Sequence, residues 1–157
     1  MKSRMPQLQW PAASLQMRQL DQGGSEVLCL ARRKWVALEP EEWVRQHVIH
    51  HLNDGLGYPL GCMSVEHQLK LNGMPRRADI VAFTPDGTAR ILVECKAPNV
   101  KLSQDAVTQA ARYNLVLNVP VLLVTNGLKH AAFGLDTEGH ASPPVSYTHL
   151  TLPTSSQ

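Results

Sequence analysis

The chain has 157 residues, 43% of them apolar, which suits one domain with a modest core, and its formal net charge of +2 excludes a global field that gathers nucleic acid. Cys29, Cys62 and Cys95 are odd in number and widely spaced, which argues against a disulfide framework or a zinc site and points to a reducing cytoplasm. The sequence shows no signal-peptide pattern, no membrane-length apolar run and no Gly-x-x-x-x-Gly-Lys-Ser/Thr loop for the phosphates of an ATP-driven motor.

Residues 1–38 read as a β extension in which Ser25 to Leu30 and Lys34 to Leu38 form a hairpin across Ala31-Arg32-Arg33. Pro40 then opens a helix that runs to about Leu52, with Trp43, Val44, Val48 and Leu52 at 3.6-residue spacing. On it Glu41 shares the face of Val44, Val48 and Leu52, and Glu42 points further toward solvent. His47 and His51 lie four apart but lack a third ligand, so they read as surface residues.

An alternating run from Ser64 to Leu71 ends at Asn72-Gly73, a pair suited to the positive φ angles of a tight hairpin turn. Ala78 to Phe83 is the return strand, Pro85-Asp86-Gly87 the next turn, and Ala89 to Cys95 the third strand of a meander. Ser103 is the expected N-cap of a helix from Gln104 to about Leu117. Pro120 to Thr125 is a strongly apolar strand, and Ala131 to Leu135 adds another.

Three elements carry candidate chemistry. Alternation puts Glu94 and Lys96 on one face of their strand, with Ile91, Val93 and Cys95 on the other, and puts Asp79 with Val81 and Phe83. If Asp79 pairs beside Glu94, two carboxylates at ~4 Å repel by about 4 kcal/mol at an effective dielectric near 20, so a positive group belongs between them. Magnesium, a hard cation that takes carboxylate, water and phosphate oxygens, suits the place, and manganese can substitute. A salt bridge at a sheet edge would also account for an isolated Glu-x-Lys. Gln109 and Tyr113, four apart, point the same way from their helix. Arg32-Arg33-Lys34 and Arg76-Arg77 are the local basic clusters.

The order helix, three strands, helix, strand, with Asp79, Glu94-Cys95-Lys96 and Gln109/Tyr113 in place, resembles the restriction-endonuclease-like α/β fold with the PD-(D/E)xK motif. Within that fold the chain is similar to the N-terminal nuclease domain of type I restriction enzyme R subunits, in its short stand-alone bacterial form. Pro40-Glu41-Glu42-Trp43-Val44-Arg45-Gln46 strengthens the likeness, which spans roughly residues 30–136. Ala78 stands where the motif name has proline.

The resemblance implies an endonuclease acting on DNA, dependent on Mg2+ or Mn2+, with restriction-system or repair subunits as further partners and no membrane. It implies that Asp79 and Glu94 bind the metal and that Lys96 orients water or stabilises charge on the phosphate. Gln109 and Tyr113 match the family's glutamine-x-x-x-tyrosine motif, and Glu41 is the chosen acidic residue of the first helix. A non-cleaving DNA-binding or assembly module of the same fold is the alternative, and a plain protein-interaction domain is a third. The nuclease-like unit is placed at residues 39–140. Val145 to Gln157 looks like a translated sequencing-library adapter and is excluded from fold reasoning.

Overall fold

A computed structural model describes residues 5–144, so the expectation for Val145 to Gln157 lies outside the described residues. The N-terminal part forms a three-stranded antiparallel sheet, β1 (Met17–Gln19), β2 (Ser25–Cys29) and β3 (Lys34–Ala37), in that order. The expected hairpin is β2–β3. β1 is an addition, and its three exposed residues carry no apolar alternation that announces a strand.

Helix α1 covers Pro40–His50 and continues as a π-helical turn, His51–Gly55. A 3-10 turn at Leu60–Cys62 leads into β4 (Met63–Leu71), β5 (Met74–Phe83) and β6 (Ala89–Cys95). Then come α2 (Gln104–Ala111), the short α3 (Asn114–Leu117), β7 (Val121–Thr125), β8 (His130–Leu135) and β9 (Ala141–Pro144). The second sheet has the order β4-β5-β6-β7-β8-β9. Its neighbours are antiparallel except β6 and β7, which are parallel and are joined through α2 and α3. The expected order of helix, meander, helix and strand is present in this mixed α/β arrangement.

The helix expected to run unbroken to Leu117 divides at Arg112 and Tyr113. The N–H groups of Arg112, Tyr113, Leu115 and Val116 bond three residues back, tightening the turn, as in Tyr113 to Ala110 and Leu115 to Arg112. Asn114 supplies a physical reason: its amide donates to Asp136 O at 2.7 Å, and its oxygen accepts from Val119 N at 2.5 Å. A side chain that holds backbone outside the helix competes with continuation of the helix.

The sheet separates two cores. On one face Ile80, Ala82, Ile91, Val93, Cys95 and Leu123 pack with Val44, Val48 and Ile49 of α1. On the other, Val81, Leu92, Leu122 and Val124 pack with Val107, Ala110 and Ala111 of α2. Each fully buried Val, Leu or Ile contributes about 1.5–3 kcal/mol, so these two faces hold the helices against the sheet.

The N-terminal region shares the first core through Leu8 and Cys29. Gln9 N–H donates to Gly127 O at 2.7 Å and Trp10 Nε1 to Thr125 Oγ1 at 3.2 Å, tying the leading segment to the end of β7. Gly127, at φ +87°, leaves room for this strap: a Cβ there would stand 2.7 Å from a Leu8 methyl.

Candidate active site

The register of β5 and β6 pairs Ile80 with Val93, and one residue further along it sets Asp79 opposite Glu94. On its other side Asp79 faces an interruption. The β4–β5 ladder pairs Val65 with Ile80 and His67 with Ala78 but skips the step between them, where Glu66 has φ 54°. A left-handed non-glycine residue inside a strand is uncommon and carries local strain.

Side-chain alternation slips at the same place. Ala78 joins Val81 in the core on the α2 face, and Asp79 bonds across to α1 instead of following Val81 and Phe83 as expected. Arg45 Nη2 donates to Asp79 Oδ1 at 2.6 Å, and the Cys95 N–H donates to Asp79 Oδ2 at 2.7 Å. The carboxylate is thereby fixed between α1 and β6.

Glu94 is held differently. Its Oε2 is buried and no donor faces it, and Lys96 Nζ is 3.9 Å from Oε1. Burial, then the neighbouring Asp79, pushes the Glu94 carboxyl up to about 9, with Lys96 opposing the rise. The two carboxyls can share a hydrogen only when one of them is protonated. The pair therefore calls for a positive particle, a proton or a cation.

Glu41 completes the acidic group. Its carboxyl is raised by burial and by the charge of Asp79, against the lowering influence of Arg45 and Lys96. Arg45 Nη2 lies 3.5 Å from Glu41 Oε1. Glu41 thus stands at the site, but the reason given for choosing it needs correction. Glu42, not Glu41, is the buried member of the pair, because two arginines neutralise it: Arg32 Nη2 at 2.5 Å and Arg45 Nη1 at 2.6 Å. Burial raises the Glu42 carboxyl, but these partners together bring it below the usual range.

The same network removes Arg32 from the basic surface expected of Arg32-Arg33-Lys34, since its side chain is only 12% exposed. His47 is likewise buried rather than a surface residue, with its ring against Trp43 and Nδ1 at 2.8 Å from Trp43 O. Arg45, which bonds Asp79 and Glu42, is the residue of the candidate site that sequence reasoning missed. A periodicity plot of α1 places a charged residue next to the buried Val44 and Val48, and such a charge requires a partner.

Lys96 is fixed by its backbone as well: its N–H donates to Thr125 O at 2.8 Å, carrying the β6–β7 pairing one residue beyond Cys95. Cys95 itself is fully buried, and burial followed by the charge of Asp79 drives its thiol well above the ordinary value. It is a packing residue.

Tyr113 is half-buried in the turn between α2 and α3. Its phenol is raised by burial and then by the charges of Glu94 and Asp79, which places it within electrostatic reach of the pair. Gln109 is exposed and shares a cavity with Tyr113 at the end of the β4–β5 hairpin. The structure therefore brings Glu41, Asp79, Glu94, Lys96 and Tyr113 to one place, with Gln109 at its margin. Among the described residues no three His, Cys, Asp or Glu side chains stand in ready metal-ligand geometry.

The profile of the type I restriction enzyme R protein N terminus matches residues 40–146, a span that contains every one of these groups. The chain belongs to this family. Membership gives the site a restriction-related, nuclease-like context. No curated protein matches the chain. No helix among the described residues is long and apolar enough to cross a membrane.

Proposed function

We propose that this R-protein N-terminal domain hydrolyses DNA phosphodiester bonds with a divalent cation, Mg2+ or Mn2+, and that its fold is the restriction-endonuclease-like one with a PD-(D/E)xK site. The observation that carries the reading is the buried, donor-less Glu94 oxygen beside Asp79. A carboxylate stripped of water with a like charge next to it is destabilised unless a cation joins it. Asp79, Glu94 and Glu41 would hold that ion. When bound, it would neutralise charge on the phosphoryl oxygens and lower the pKa of its water.

The chain's own groups do the rest. Asp79, locked by Arg45 and the Cys95 N–H, keeps a fixed aim without waiting for substrate. Lys96, about one-third exposed, is the side chain able to reach an incoming phosphate or its attacking water from the protein side. Its ammonium stabilises negative charge as it develops, an effect whose loss lowers rates by roughly 10²- to 10³-fold for a positioned donor. Tyr113 borders the same space.

The test compares the full chain with Lys96→Ala on supercoiled, linear and branched DNA with Mg2+ or Mn2+. Cleavage by the first and its near-loss in the second supports the reading; equal cleavage by both, or none by either, overturns it.

One observation favours the non-cleaving DNA-binding or assembly module. Both Asp79 oxygens already have donors, and Arg45 supplies the charge that a metal would otherwise bring. Isothermal titration with Mn2+ separates the two. Binding that Glu94→Gln abolishes supports the catalytic metal site, and DNA binding with no metal uptake supports the module.

A further inference from the structure

The acidic site continues into a cleft of opposite character. A cavity of about 380 Å3 opens between the end of the β4–β5 hairpin and the C-terminal turn of α2. Arg76 and Asn72 line it from the hairpin side, and Gln109, Arg112 and Tyr113 line it from the helix side. No carboxylate lines it. Both arginines are exposed, and neither forms an ion pair among the described residues; Arg76 Nη1 only donates to the adjacent Pro75 O. Tyr113 belongs to both places, since its phenol also senses Arg76.

Strand geometry sets the scale. Arg76 lies three residues before Asp79 on β5, and at ~3.3 Å per residue that is about 10 Å along the strand. The hairpin reaches this position because Asn72 and Gly73, at φ 52° and 78°, close it in two residues, as the Asn-Gly pair predicts. From Met74 to Arg77 the strand is exposed and pairs with β4 alone, beyond the ladder with β6. Free guanidinium groups with amide and phenol donors in a concave site match one chemistry above others. Phosphate oxygens accept from a planar fork of donors and balance its charge.

We infer that this cleft is a subsite for a second phosphate of the nucleic-acid strand, next to the one at Glu94 and Lys96. Arg76 and Arg112 hold the charge, and the Gln109 and Asn72 amides and the Tyr113 hydroxyl fix orientation. The inference rests on the reading of the domain as one that acts on DNA, and it assigns Gln109 and Tyr113 to holding the strand. The phosphate is either an internal diester or a terminal monoester.

The experiment measures binding apart from cleavage. The full chain with Lys96→Ala, which consumes no substrate, is titrated with fluorescent oligonucleotides with and without a 5′-phosphate, over a range of salt. Arg76→Gln and Arg112→Gln are placed on that background, with Arg18→Gln of the N-terminal sheet as the control. Each cleft variant is expected to weaken binding roughly tenfold, and the pair to lower the slope of log K against log salt by about 1, while the control changes neither. A preference for the 5′-phosphate that disappears in the cleft variants identifies a terminal phosphate; equal losses on both oligonucleotides identify an internal one. Binding unchanged in the cleft variants, a loss matched by the control, or no binding by the parent overturns the subsite. Cleavage by the unsubstituted chain is scored separately. A chain that binds through these arginines but never cuts retains the subsite and loses the nuclease reading, and a chain that cuts with the arginines dispensable does the reverse.

Discussion

The fold moves the protonation state of Glu94 far from that of a free carboxyl. Its ordinary carboxyl value of 4.5 is moved to about 9 by burial, with Asp79 adding to it. Between those values the native chain keeps a proton that the unfolded chain has released. The contribution is fully present below pH 4.5 and is lost as pH rises through 9, so metal-free stability falls across that window. Urea midpoints measured from pH 5 to 9 should decline for the parent and stay nearly level for Glu94→Gln, which keeps the shape without the ionisation. Parallel declines would show that the proton sits elsewhere. Mn2+ at pH 8 should raise the parent midpoint and leave the variant unchanged, because a ligand that binds only the native state stabilises it.

At the scale of elements, legibility followed how local each signal is. The meander could be read because its turns are made by Asn72-Gly73 and Pro85-Asp86-Gly87, and α1 because Pro40 and its apolar spacing coincide. The α2 start was legible for the same reason: Ser103 Oγ accepts the Ala106 N–H at 3.1 Å. Ser103→Ala should therefore lower stability by about 1 kcal/mol in chemical denaturation while leaving metal binding intact. Other features depend on distant partners. The split at Arg112 depends on Asn114 meeting Asp136, and the placement of Asp79 toward α1 depends on Arg45 and on the interrupted step at Glu66. Neither β1 nor the burial of Glu42 has a local signature, because each exists through a partner from another element.

The molecule as a whole is fastened by a chain of charge that crosses three elements. Arg32, between β2 and β3, holds Glu42 of α1; Glu42 and Asp79 of β5 both hold Arg45. Arg45→Ala leaves two buried carboxylates without their common cation, and breaking a buried pair in this way costs about 3–5 kcal/mol. Urea denaturation should show that loss. A change below about 1 kcal/mol would mean that water reaches the network and that the N-terminal sheet is fastened chiefly by Leu8 and Cys29 packing. The candidate residues were visible as a set in the sequence, while the arginine that aims one of them was not.

The parallel partnership of β6 and β7 has a consequence in time. Antiparallel neighbours can zip from a turn, but this pair has to wait for the connecting helices to be made and laid across the sheet, a slow, non-local closure. The Lys96 N–H finds its acceptor on Thr125, at the far end of that detour. During synthesis the acidic pair on β5 and β6 emerges first, and the lysine backbone is pinned only after residue 125 has left the ribosome and folded back. The candidate site is thus complete only once β7 has folded back onto β6, and a half-made polypeptide carries the carboxylates without the anchored lysine beside them.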